Sequence, residues 1–85
     1  MGKKYVKVIA EFDEEGNITP KVLIWEDGRE LKITHAHDAR RMASTAGGTG
    51  YRYSITIDGE ERCIWLEDVK FNKVIGGRWF VEIDN

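Results

Sequence analysis

The segment Val22–His35, VLIWEDGRELKITH, constrains the fold of this chain more than any other. An apolar run ends at Glu26-Asp27-Gly28-Arg29, and a polar/apolar alternation leaves it. Asp-Gly between two such runs is a strong short-range hairpin signal, because a type I′ turn needs positive φ at both central residues. A two-residue Asp27-Gly28 loop sets Ile24 opposite Leu31 and Val22 opposite Ile33, all on one face. Leu23 and Trp25 then point the other way, across from Lys32 and Glu30. Val22–Trp25 is apolar on both faces and reads as a central strand.

The same periodicity runs through most of the chain. Tyr5–Phe12 alternates, with Val6, Val8, Ala10 and Phe12 on one face. Asp13–Asn17 is a turn, and the second strand begins near Ile18. Pro20 cannot donate to a ladder, so it belongs at the strand's start or on an unpaired side. A third strand covers Glu30 to about Thr34. The next stretch, 38–45, reads either as one short helical turn capped by Asp38 or as an extension of the third strand past a bulge. Its composition is rich in Ala and Arg, but it has no apolar stripe.

Tyr51, Tyr53, Ile55 and Ile57 share one side of a further strand, which turns at Asp58-Gly59. A two-residue loop there places Ile55 against Arg62. A three-residue loop places it against Cys63, and Tyr53 against Trp65. The second register matches apolar with apolar and is preferred. It also puts Cys63 in the core as an inert thiol. Arg62–Glu67 and Arg78–Ile83 complete the strands. The expectation is a single all-β domain over 1–85: a small antiparallel barrel, SH3-like, or a strongly curved sheet of five to six strands.

A chain of 85 residues has room for one thin core and none for a deep cleft. Catalysis is therefore not expected, and no nucleophile–base set is recognisable. Two histidines, His35 and His37, share a face if the chain there is extended, but a third ligand has to come from elsewhere, so no metal and no cofactor are expected. Gly47-Gly48-Thr49-Gly50 lacks the Lys-Ser/Thr ending of a phosphate-binding P-loop and reads as a chain reversal. The one cysteine excludes an internal disulfide and fits a reducing cytoplasm. No apolar run approaches the roughly 18 residues of a membrane span, and the N-terminal alternation is not that of a signal peptide.

The net charge of −2 argues against a strongly basic nucleic-acid protein. The charge is uneven, however: no acidic residue occurs from Ala39 to Ile57, although the chain holds 15. The candidate binding residues are Arg40, Arg41, Gly47, Gly48, Thr49, Gly50 and Arg52. The three tryptophans and their aromatic neighbours cannot all face one core unless the sheet closes or is covered.

The segments IWEDGR (Ile24–Arg29), GGTGYRY (Gly47–Tyr53) and GRWFVE (Gly77–Glu82) together resemble a family of small single-domain proteins of clostridia-like Gram-positive bacteria. The similarity covers most of the chain, and the order and spacing of the three segments carry it. No activity, cofactor or partner is established for that family, so the resemblance implies no functional residue. The connection from Val69 to Gly76 is longer here than in that pattern.

These readings lead to a cytoplasmic, non-catalytic binding or accessory module that engages a protein partner, by strand addition at a sheet edge or on an aromatic patch. The alternative is nucleic-acid binding through the acid-free Arg40–Arg52 segment.

Overall fold

The computed structural model describes residues 2–44, 49–68 and 77–83. Gly47, Gly48 and the Val69–Gly76 connection lie outside them. The described residues form seven strands: β1 (Gly2–Phe12), β2 (Ile18–Ile24), β3 (Glu30–Lys32), β4 (His35–Ala43), β5 (Thr49–Ile57), β6 (Glu60–Asp68) and β7 (Gly77–Ile83). All pairings are antiparallel, in the order β3-β2-β1-β7-β6-β5-β4. The expected all-β curved sheet is present, with one strand more than the five to six expected.

The additional strand is β4. No helical turn occurs among the described residues of 38–45. Instead His35–His37 and Arg40–Ala43 pair with β5, and the register shifts between His37 and Arg40. The Ala- and Arg-rich composition favours helix locally. A helix here would have no apolar stripe to bury, whereas the strand places Ala36 against the core. Tertiary pairing outweighs the local propensity.

The sheet curls because its strands change partners along their length. The first half of β1 pairs with β7 and its second half with β2. At the far side, β3 runs into β4 through a crossing: the Ile33 N–H bonds the Lys21 carbonyl, while the Thr34 N–H bonds the Thr56 carbonyl. The chain thus passes from β2 to β5 within two residues and draws the two ends of the sheet together. Pro20 sits at the bulge of β2, where the register to β1 shifts between Ile9 and Ala10, so its missing N–H breaks no regular ladder.

The two hairpins exchange the loop types expected for them. The Asp58-Gly59 loop has two residues, with φ of 51° and 77°, and it sets Ile57 against Glu60. Ile55 therefore faces Arg62, and Tyr53 faces Ile64. The Asp27-Gly28 loop is longer. Trp25 and Arg29 close it through the Trp25 N–H to the Arg29 carbonyl at 2.9 Å, and only Gly28, at φ 89°, is left-handed. Leu23 consequently pairs with Leu31, and Ile24 with Glu30. Each shift of one residue moves a whole strand to the other face.

On the inner face, Leu23, Ile33, Tyr53, Ile55, Ile57 and Ile64 are buried, with Val6, Val8 and Trp79 among the side chains packed on them. The Tyr53 hydroxyl crosses this space to donate to the Ile18 carbonyl at 2.8 Å, tying β5 to β2. On the outer face, Trp65 and Phe80 are also buried, at 3% and 1% exposure, and their rings stack at 5.7 Å. β6 and β7 therefore bury side chains on both faces. That explains how so many aromatics fit one short chain, and it leaves Tyr5, Phe12 and Tyr51 as the exposed rings among the described residues.

Candidate functional site

The ladder between β6 and β7 runs only from Trp65–Phe80 to Asp68–Gly77. Beyond Phe80, β7 continues along β1, while Glu60–Ile64 of β6 continues along β5. The two strands separate, and the edges they turn towards each other have no ladder partner among the described residues. A cavity of about 740 Å³ lies at this opening. Its apolar wall includes Leu23, Trp25, Leu31, Ile55, Ile57 and Val81. The volume lies in the range of ligand sites, and the combination of an apolar wall with a few polar groups is what such sites share.

The rim is acidic. Four carboxylates, Asp58, Glu60, Glu61 and Glu82, stand against two guanidiniums, Arg29 and Arg62. Both guanidiniums are already engaged: Arg62 with Glu60 at 2.7 Å and Arg29 with Asp27 at 2.7 Å. Glu82 accepts the Ser44 hydroxyl at 2.8 Å. Arg62 facing Ile55 looks like a poor pair on paper. At the cavity rim its head reaches Glu60 instead of being buried.

The closed end of the opening is held by Glu67. Its Oε2 accepts the Lys3 ammonium at 2.8 Å and the Tyr5 hydroxyl at 2.8 Å, and its Oε1 accepts Arg78 at 2.8 Å. Burial pushes this carboxyl upward, but the bonds from Lys3, Tyr5 and Arg78 outweigh it and hold the group at about 2, below the ordinary 4.5. The same bond to Glu67 raises the Tyr5 phenol, which stays neutral and keeps donating. Lys3 lies 4.8 Å from the Phe80 ring centre, and Arg78 lies 4.3 Å from that of Tyr5. The cluster joins β1, β7 and β6 where the last two still pair.

The residues singled out from the sequence divide between the faces. Arg40 and Arg52 are direct cross-strand neighbours on the outer face. With Met42 and Ser54 they line a shallow depression of about 180 Å³. Arg41 falls on the opposite face and is exposed, 5.6 Å from the centre of the Tyr51 ring. Thr49 pairs with Ala43 through its backbone, and Gly50 is buried between Met42 and Glu67 in the sheet. A Cβ on Gly50 would stand 2.5 Å from the Leu66 carbonyl oxygen, so this glycine serves the close approach of β5 to β6.

Cys63 is not in the core. The two-residue loop turns it to the outer face, opposite Ser54 and half-buried. Arg52 donates to its sulfur twice, from Nε at 3.3 Å and from a terminal nitrogen at 3.2 Å. His35 and His37 do share the outer face, opposite Thr56 and Ser54. No group of three His, Cys, Asp or Glu side chains suited to a metal occurs among the described residues. No helix among them is long and apolar enough to cross a membrane.

The cavity and the Glu67 cluster escaped the sequence reading. A signal for the second exists in Trp65-Leu66-Glu67 and Trp79-Phe80, where adjacent bulky residues demand cover on both faces. The cavity has no such local signal, because it arises from two strands parting. No protein-family model, curated protein or solved structure matches this chain.

Proposed function

We propose that this protein is a non-catalytic, cytoplasmic binding module that takes an extended segment of a protein partner into the opening between β6 and β7. The observation that carries this reading is the end of the β6–β7 ladder above an apolar cavity. A strand edge offers main-chain donors and acceptors, and alternate side chains of an added strand reach the apolar wall. The β6 edge at Glu60–Ile64 is the receiving edge, since β5 holds it from behind.

The outermost strands suit this role less well. β3 has three residues, and β4 is bulged and carries arginines. Short length, bulges and charge are how sheets blunt their edges. The acidic rim selects a segment that alternates apolar with basic residues.

A short peptide alternating valine and lysine, titrated into the labelled protein, tests the proposal. Amide shifts and slowed hydrogen exchange are expected at Glu60–Ile64 and Val81–Ile83, with Val81→Asp abolishing them. Equal binding of a valine–glutamate peptide, or shifts confined to β3 and β4, would refute it.

A further inference from the structure

The outer face carries a second arrangement, independent of the opening. Arg40, Arg52 and Trp65 are consecutive neighbours along one row across β4, β5 and β6. Like charges directly opposite on a sheet are unfavourable, yet Arg40 and Arg52 stand so. Arg40 has no hydrogen-bond or ion-pair partner among the described residues. Among the described residues Arg52 donates to sulfur alone: Cys63 twice, and Met42 at 3.7 Å. Sulfur is a weak acceptor. The Trp65 indole N–H is buried and has no partner among the described residues. Among the described residues, Arg40 and Arg52 are therefore adjacent donors that lack an oxygen acceptor, with Trp65 buried beside them. The Ser54 hydroxyl borders the same depression as the two arginines. The carboxylate whose charge reaches Arg52, that of Glu82, is engaged by Ser44.

We propose that the Arg40–Arg52 pair, with Ser54 beside it, is a binding site for a phosphate monoester. Two guanidiniums match a dianion, and their forked donors match its oxygens. A single carboxylate offers half that charge. A nucleic-acid strand fits less well, because no exposed aromatic ring among the described residues flanks the pair on this face. Tyr51 and Tyr53 lie on the opposite face and Trp65 is buried, so bases beside the pair would have no platform to stack on.

Phosphoserine and inorganic phosphate, each titrated into the labelled protein at constant ionic strength, test the site. The amides of Arg40, Arg52 and Ser54 and the Trp65 indole signal should shift together and saturate, while sodium acetate leaves them in place. Arg40→Gln should weaken binding at least tenfold, and Arg40→Lys should recover part of the loss. Arg40 is exposed, so an unchanged melting temperature will show that the fold survives. Absence of saturable shifts, equal shifts with acetate, or undiminished binding by Arg40→Gln would overturn the proposal. So would tighter binding of a single-stranded oligonucleotide than of phosphoserine. Failure of the valine–lysine peptide at the opening would not bear on this face.

Discussion

Glu67 offers the sharpest test of how the sheet is held together. Its carboxyl lies at about 2 in the folded protein against 4.5 ordinarily. The unfolded chain therefore binds this proton more readily, and it holds more protons than the folded state between these values. The stabilisation is fully present above about pH 4.5 and is lost as the pH falls through about 2. At about 1.4 kcal/mol per unit, the depression has a ceiling of about 3 kcal/mol. Solvent lowers that figure. The Glu67 side chain is 12% exposed and Lys3 20%, but Arg78 is 44% exposed. A contribution of about 1–2 kcal/mol is the expected size once screening is counted.

Glu67→Gln keeps the shape and removes the charge. Urea unfolding of both proteins should show the variant less stable by about 1–2 kcal/mol at pH 7, equivalent to about 4–16 °C in melting temperature for a domain of this size. The difference should shrink steadily below pH 4.5 and vanish below about pH 2. Asp13 and Asp27 are also depressed, by Asn17 and by the Arg29 backbone respectively, but both remain in the variant and cancel. A difference that stays constant from pH 7 to pH 2 would refute the electrostatic account. Glu67 would then act through packing alone.

Four further outcomes follow from the geometry. Gly28→Val should cost about 1 kcal/mol or more in a urea melt, from backbone strain alone, since φ is 89° and nothing lies within 4 Å of the added Cβ. Gly50→Ala should cost about 1–3 kcal/mol by the same measurement, because its Cβ meets backbone that cannot rotate away. Tyr53→Phe should lose about 1–3 kcal/mol by leaving the Ile18 carbonyl without its donor, and hydrogen exchange should quicken where β2 faces β5. Arg52→Ala should speed labelling of Cys63 by a thiol reagent in the native state, because the guanidinium covers the sulfur; an unchanged rate would show that the contact gives no protection.

The inward residues of β5 were legible in the sequence: Tyr53, Ile55 and Ile57 alternate and are buried together. So were Leu31 and Ile33. What failed was the choice of partner face, and it failed for one reason in both hairpins. Asp-Gly marks a reversal but does not say whether Asp also turns left-handed. Asp58 does, with φ 51°. Asp27 instead bonds locally: its carboxylate accepts the Arg29 N–H at 3.0 Å and the Arg29 side chain at 2.7 Å. That clasp favours the longer loop, and Leu23 replaces Ile24 at the core. A following Arg was the available clue. In the candidate site, Arg40 and Arg52 were legible as an acid-free pair, but Arg41 was separable only once β4 was known to be a strand.

The opening between β6 and β7 follows from the same curl that closes the rest of the sheet. β7 must pair with β1 on one side and β6 on the other. β1 is 11 residues long and bends to reach β2, because its second half belongs to a different part of the curl. β6 is held over its whole paired length by β5, which the β3–β4 crossing pulls towards β2. Strand twist accumulates along both neighbours, so β7 follows one of them and leaves the other. It stays with β6 where Trp65 stacks on Phe80 and Glu67 gathers Lys3, Tyr5 and Arg78, and it departs one residue later. The apolar wall exposed by that departure is the inner face itself. A cavity at this point is therefore a consequence of curvature, and the aromatic stack and the Glu67 cluster determine how far it extends.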